Sequence, residues 1–140
     1  MEKPVTVAIN WPHGLQLSPD QSRLLVTDTH TRWVESFEIQ GDGSLANGKH
    51  YCRLEARNDA PEVDAGGMAF DTEGFLYVAT SLGVQVFDRG GRVAAIIDAP
   101  GTGGVSAVLF GGTNREWLYV TDGDKMYRRL SKRRGAASAN

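Results

Sequence analysis

One pattern, stated three times, constrains this chain more than anything else in it. It is clearest in Gly67-Met68-Ala69-Phe70-Asp71-Thr72-Glu73-Gly74-Phe75-Leu76-Tyr77-Val78-Ala79-Thr80. Gly67 to Phe70 is small and apolar, as a short buried strand requires. Asp71 to Gly74 is turn chemistry, with a glycine free to take positive φ. Phe75 to Ala79 is rich in residues that suit a pleated, buried surface. The first copy runs from Gly14 through Ser18-Pro19-Asp20 to Arg23–Asp28, and the third from Ala107 through Gly111-Gly112 to Glu116–Asp122. Val26, Val78 and Val120 hold equivalent places, about 52 and then about 42 residues apart, which is a propeller-blade period. Each copy is followed by another apolar strand, Arg32 to Ile39, Gly83 to Asp88 and Lys125 to Leu130. The first two copies add a fourth, His50 to Glu55 and Arg92 to Asp98. Four short strands at this period, joined by Gly and Asp turns, predict blades of a β-propeller.

The expected organisation is all-β, with three blades in the chain. A half-propeller spans 1–131, with a leading strand over 4–9, a blade over 14–55, a second over 67–98 and a partial third over 105–130. The polar stretch from Ala56 to Ala65 reads as a surface loop, and both Gly41-Asp42-Gly43-Ser44 and Asn47-Gly48 read as hairpin turns. Residues 132–140 are basic at first and then featureless, and are expected to be a frayed, solvated tail. No long amphipathic helix is visible.

The formal net charge of −2 gives no electrostatic case for binding nucleic acid or an anionic membrane. No apolar run approaches the length of a membrane span. The segment Met1-Glu2-Lys3-Pro4 has no signal-type apolar stretch, so the expected location is the cytoplasm. The single Cys52 excludes an internal disulfide and any CxxC site. It falls within an outer strand and reads as a small packed residue. No Gly-x-Ser-x-Gly elbow, HExxH or P-loop is present.

Three stretches carry a family resemblance: "PHGLQLSPDQSRLLVTDTHT", "GGMAFDTEGFLYVATSLGVQVFDRGGRV" and "FGGTNREWLYVTDGDKMYRR". They resemble, in order and spacing, the PNG-x-x-x-SPD, DGMA-x-D-x-x-G-x-LYVAT and FGG-x-x-x-x-x-LYVT patterns of the gluconolactonase/regucalcin (senescence marker protein) family. The resemblance covers roughly residues 5 to 130 and implies the C-terminal half of a six-bladed propeller. It also implies hydrolysis of a sugar lactone with one divalent cation, calcium or zinc, held in the central channel. The implied ligands are altered. The Asn of PNG falls on His13, the Asp of DGM on Gly66, and a further Asn on Ala107.

Blade topology places the loop entering the first strand and the loop between the second and third strands at one end. His13 and Asp64 would then share a mouth with Asp28, His30, Arg32, Asp122 and Asp124. Two readings of His13 stand side by side, a metal ligand through an imidazole nitrogen or a channel histidine bonded to backbone. Asp64 is either a carboxylate replacing the one lost at Gly66 or a loop residue capping its own turn. Asp28, His30 and Asp122 are candidate contacts for a polar, lactone- or sugar-like ligand, or wet loop residues. Asp122-Gly123-Asp124 lacks the further ligands of an EF-hand, and Asp20 and Asp71 read as turn residues.

Three possibilities follow: a metal-dependent lactone hydrolase, a non-catalytic module that binds a small polar ligand or protein partner, or a truncated piece of a longer enzyme. Three blades cannot close a ring alone, so a homodimer is expected. In it Val5 to Ile9 of one chain adds to Lys125–Leu130 of the other, giving six blades of four strands.

Overall fold

Alternating apolar residues and acid-headed turns build the sheets seen in the computed structural model, which describes residues 9–59 and 62–137. The first sheet contains β1 (Pro12–Leu17), β2 (Arg23–Asp28), β3 (Trp33–Ile39) and β4 (Leu45–Arg53). The second contains β5 (Met68–Phe70), β6 (Leu76–Thr80), β7 (Gly83–Phe87) and β8 (Val93–Asp98). The third contains β9 (Val105–Gly111), β10 (Trp117–Asp122) and β11 (Lys125–Leu130). Every sheet is an antiparallel meander in sequence order. These are three blades of a β-propeller.

The turns are held as their sequences suggest. The Asp71 carboxylate accepts the N–H groups of Glu73 (2.9 Å) and Phe75 (3.0 Å), and Gly74 follows at φ 83°. Asp20, Asp42 and Asp88 do the same for Ser22, Ser44 and Arg92.

The core lies between blades. In β5 and β6, Met68, Phe70, Leu76 and Val78 pack toward the first blade. Ala69, Tyr77 and Ala79 point the other way, against Val108, Phe110 and Leu118 of the third. This two-residue alternation makes the middle blade a double-sided wall. Its largest fully buried side chain, Phe87, is worth about 3–5 kcal/mol against alanine. A polar clip joins the first two blades as well. The buried Gln85 amide accepts from Glu55 N–H (2.8 Å) and donates to Glu55 C=O (2.9 Å).

Five expectations are corrected or left outside. The fourth strand begins at Leu45 rather than His50. Asn47-Gly48 is not a hairpin tip but an irregularity inside β4, where register shifts between Ser36 and Glu38. Asn47 takes φ 52° there, and a Cβ on Gly48 would lie 2.6 Å from the Phe37 ring. The loop over 56–65 is not all surface, because Val63 and Ala65 are fully buried in the first inter-blade core. The expected tail is ordered through Ala137. Arg134 C=O accepts from Thr72 N–H (2.8 Å), Ala136 N–H donates to Phe70 C=O (2.9 Å), and Gly135 bridges Asp71. The Arg133 guanidinium sits 3.9 Å from the Phe75 ring centroid and pairs with Glu73. Its charge is used within the chain, which composition alone cannot show. Of the expected leading strand, residues 4–8 lie outside the described residues, and Ile9 is in no strand.

No helix among the described residues is long and apolar enough to cross a membrane.

Candidate functional site

The inner strands β1, β5 and β9 begin at one end of the blades, and β2, β6 and β10 finish there. His13 stands at the start of β1, with its side chain exposed. Its Nδ1–H donates to Ala65 C=O at 3.1 Å, so in the neutral ring Nε2 is the remaining acceptor. Of the two readings, the histidine bonded to backbone is the one this contact describes. The bond also brings His13 to the residue beside Asp64. Asp64 is exposed and occupies the left-handed region at φ 45°, where Asp is better tolerated than most side chains.

Asp28 and Asp122 are buried. Asp28 accepts the N–H groups of Asn10 (3.1 Å) and His30 (2.9 Å). Asp122 accepts those of Gly101 and Gly103, both at 2.8 Å. Each carboxylate therefore ties the loop before its blade's first strand to the end of the second. Thr80 holds the same repeat position in the middle blade and bonds Gly83 C=O (2.9 Å). In both acids each carboxylate oxygen accepts one backbone N–H, so both buried side chains brace their loops. His30 remains exposed, with Trp11 edge-on to it at 5.4 Å between ring centroids.

Two features of this end went unnoticed in the sequence. Trp11 is exposed beside His30, and the Ser106 and Thr121 hydroxyls, on β9 and β10, meet at 2.8 Å. An aromatic immediately before the Pro12-His13-Gly14 turn was the available signal for the first. The second depends on strand pairing and has no local signal.

Gly66 is the centre of the arrangement. Its C=O accepts from Thr27 Oγ1 (3.0 Å), which in turn accepts from Gly14 N–H (2.7 Å). Gly67 N–H donates to Ser106 C=O (3.0 Å). A Cβ built on Gly66 would lie 2.2 Å from the Ser106 oxygen, and one on Gly14 would lie 2.1 Å from the Gly66 oxygen. The three inner strands thus approach backbone to backbone, and a side chain at 66 has no room.

A divalent cation does not fit the residues present. Calcium wants six to eight oxygen ligands and zinc four donors. Among the described residues no three His, Cys, Asp or Glu side chains converge, and His13 and Asp64 form no such group. At the other end, a cavity of about 370 Å³ is lined by Leu17, Met68, Phe70, Phe110 and Arg115. Its lining mixes these apolar side chains with Gln16, Ser18 and Arg115, and it is remote from the mouth.

The family model described as the SMP-30/Gluconolactonase/LRE-like region matches residues 3–123. Among solved structures, a putative gluconolactonase superposes with a TM-score of 0.81 at 21% identity, over 96% of this chain and 43% of its own. A gluconolactonase from Xanthomonas campestris gives 0.72 at 27% identity, over 88% of this chain and 38% of its own. A calcium-binding regucalcin from Agrobacterium tumefaciens gives 0.71 at 19% identity, over 86% and 41%. This chain therefore spans less than half the length of each. With the matching profile covering most of its residues, the chain belongs to the SMP-30/gluconolactonase/LRE-like family.

Proposed function

We propose that this chain is a gluconolactonase-type propeller segment whose mouth binds a small polar, sugar-like ligand without hydrolysing it. The observation that carries the reading is the closed backbone at Gly66, which removes both the carboxylate and the space for one. The engagement of both oxygens of Asp28 and of Asp122 by backbone N–H groups favours it too. What the mouth still presents is an aromatic face at Trp11, the imidazoles of His13 and His30, and the hydroxyls of Ser106 and Thr121. These are groups that stack on and hydrogen-bond to a polyhydroxylated ring.

Titration with gluconolactone and with gluconate, followed by calorimetry, tests binding. A saturable heat that weakens in Trp11→Ala and His30→Ala is the expected result. In parallel, lactone hydrolysis is assayed with calcium, zinc and manganese. A metal-dependent rate above buffer would overturn the non-catalytic reading. The hydrolase remains the second reading, supported by the identity to the Xanthomonas campestris gluconolactonase and by the unengaged Nε2 of His13. It would need acidic ligands that these residues do not supply.

A further inference from the structure

The repeat reports its own unmet contacts. In the first strand of a blade, the position after the small residue faces the preceding blade. Met68 and Val108 hold it and are each 5% exposed, whereas Leu15, the same position in the first blade, is 63% exposed. The next position faces the following blade. Ala69 holds it at 8% exposed, and Leu109, its equivalent in the third blade, is 65% exposed. The third strand repeats the lesson. Val34 pairs with Thr27, Val84 with Ala79 and Met126 with Thr121. Val34 and Val84 are 0% and 2% exposed, while Met126 is 72% exposed. The leading face of the first blade and the trailing face of the third are thus built as inter-blade surfaces.

We propose that these two faces dock on each other between two copies of this chain, closing one ring in which each copy supplies an arc of three blades. The second copy is the occupant argued for on three grounds. Leading and trailing faces are the two matching halves of one repeated interface, so each copy carries both the surface and its complement. Two arcs of three make six blades, inside the four-to-eight range in which propellers close. The 43% span of the putative gluconolactonase leaves room in such a ring for about one more arc. Third, the third strand of each end blade carries one charge of opposite sign at its face, Glu35 being paired in its own chain with His50 at 2.8 Å. Glu35 lies on the leading face, at the register position of Gln85. Arg128 lies on the trailing face, at that of Val86. A two-fold operation about the ring axis makes both contacts at once and leaves neither face open. The mouth, half a rim in one chain, would then be completed by the partner's Trp11, His13 and His30.

Light scattering on the 140-residue chain tests the assembly. A particle of about twice the 15.2 kDa chain mass is expected. Leu109→Asp and Leu15→Asp should each reduce it to one chain. Ile96→Asp, at an exposed apolar residue of β8, should leave it unchanged. Cysteine cross-linking fixes the geometry. Leu15→Cys with Leu109→Cys in one chain should yield disulfide-linked dimers under oxidation, and either substitution alone should not. A stable monomer would overturn the proposal, assigning the faces to blades outside these residues. Open-ended oligomers, or dimers cross-linked by Leu109→Cys alone, would overturn it equally.

Discussion

Gly66 sits where three inner strands touch, and its consequences are testable one residue at a time. Gly66→Asp restores the side chain that the family pattern carries, yet places a Cβ against the Ser106 carbonyl. Backbone must move, at a cost of about 1–3 kcal/mol. A lowered melting temperature with no gain in metal-dependent hydrolysis is expected. A variant as stable as the parent and active with calcium would refute this account of the site. Tyr77 gives a second test. Burial, then the neighbouring Asp71 carboxylate, pushes its phenol up to about 12 from the usual 10. Because the folded value is the higher one, this contribution to stability is complete below pH 10 and is lost as pH climbs from 10 to 12. Tyr77→Phe should flatten that part of the stability profile in urea titrations at stepped pH; an unchanged slope would contradict it. Cys52, pushed up to about 12 by burial alone, should resist thiol reagents until the chain unfolds. At this scale the sequence told half the story. Spacing located His13, Asp28 and Asp122 at the mouth, but residue type cannot say that Ala65 C=O or the N–H groups of Gly101 and Gly103 already occupy them.

Elements were legible where the information is local. β5 to β8 follow from a two-residue alternation and acid-glycine turns, both readable within a dozen residues. What the sequence hid depends on distant partners. Val63 and Ala65 lie in a polar stretch and are buried because the first and second blades converge on them. Arg133 and Gly135 looked like tail because their partners, Glu73, Phe75 and Phe110, are far away in sequence. The returning segment 131–137 acts as a latch on the β5–β6 turn. Gly135→Ala would press a methyl to within 2.2 Å of Phe110 Cβ and should release it. Limited proteolysis should then cut near Lys132 and Arg133 several times faster than in the parent, and an equal rate would argue against the latch. The Gln85 clip allows a similar test between blades. Gln85→Leu leaves the Glu55 N–H and C=O without their partner, at a cost of about 1–3 kcal/mol. The midpoint of urea unfolding should fall with its slope unchanged.

For the whole molecule, the two end faces decide how stability should respond to conditions. A single arc of three blades would unfold with a midpoint independent of chain concentration. A ring made of two arcs is stabilised by association, so mass action adds about 1.4 kcal/mol for each tenfold increase in chain concentration once the dimer is the folded species. The melting temperature should therefore rise by a few degrees per tenfold, and Leu109→Asp should abolish the dependence along with the dimer. Metal behaves differently in this picture. A cation resident in the mouth would bind the folded state alone, and its removal by EDTA would lower the midpoint. With Gly66 closed to a side chain and both buried acids committed to backbone N–H groups, EDTA and millimolar calcium should leave the midpoint where it was. Differential scanning calorimetry across a hundredfold range of chain concentration, with and without EDTA, separates the two effects. A midpoint that follows calcium and ignores concentration would reverse both conclusions, placing a metal in the mouth and a monomer in solution.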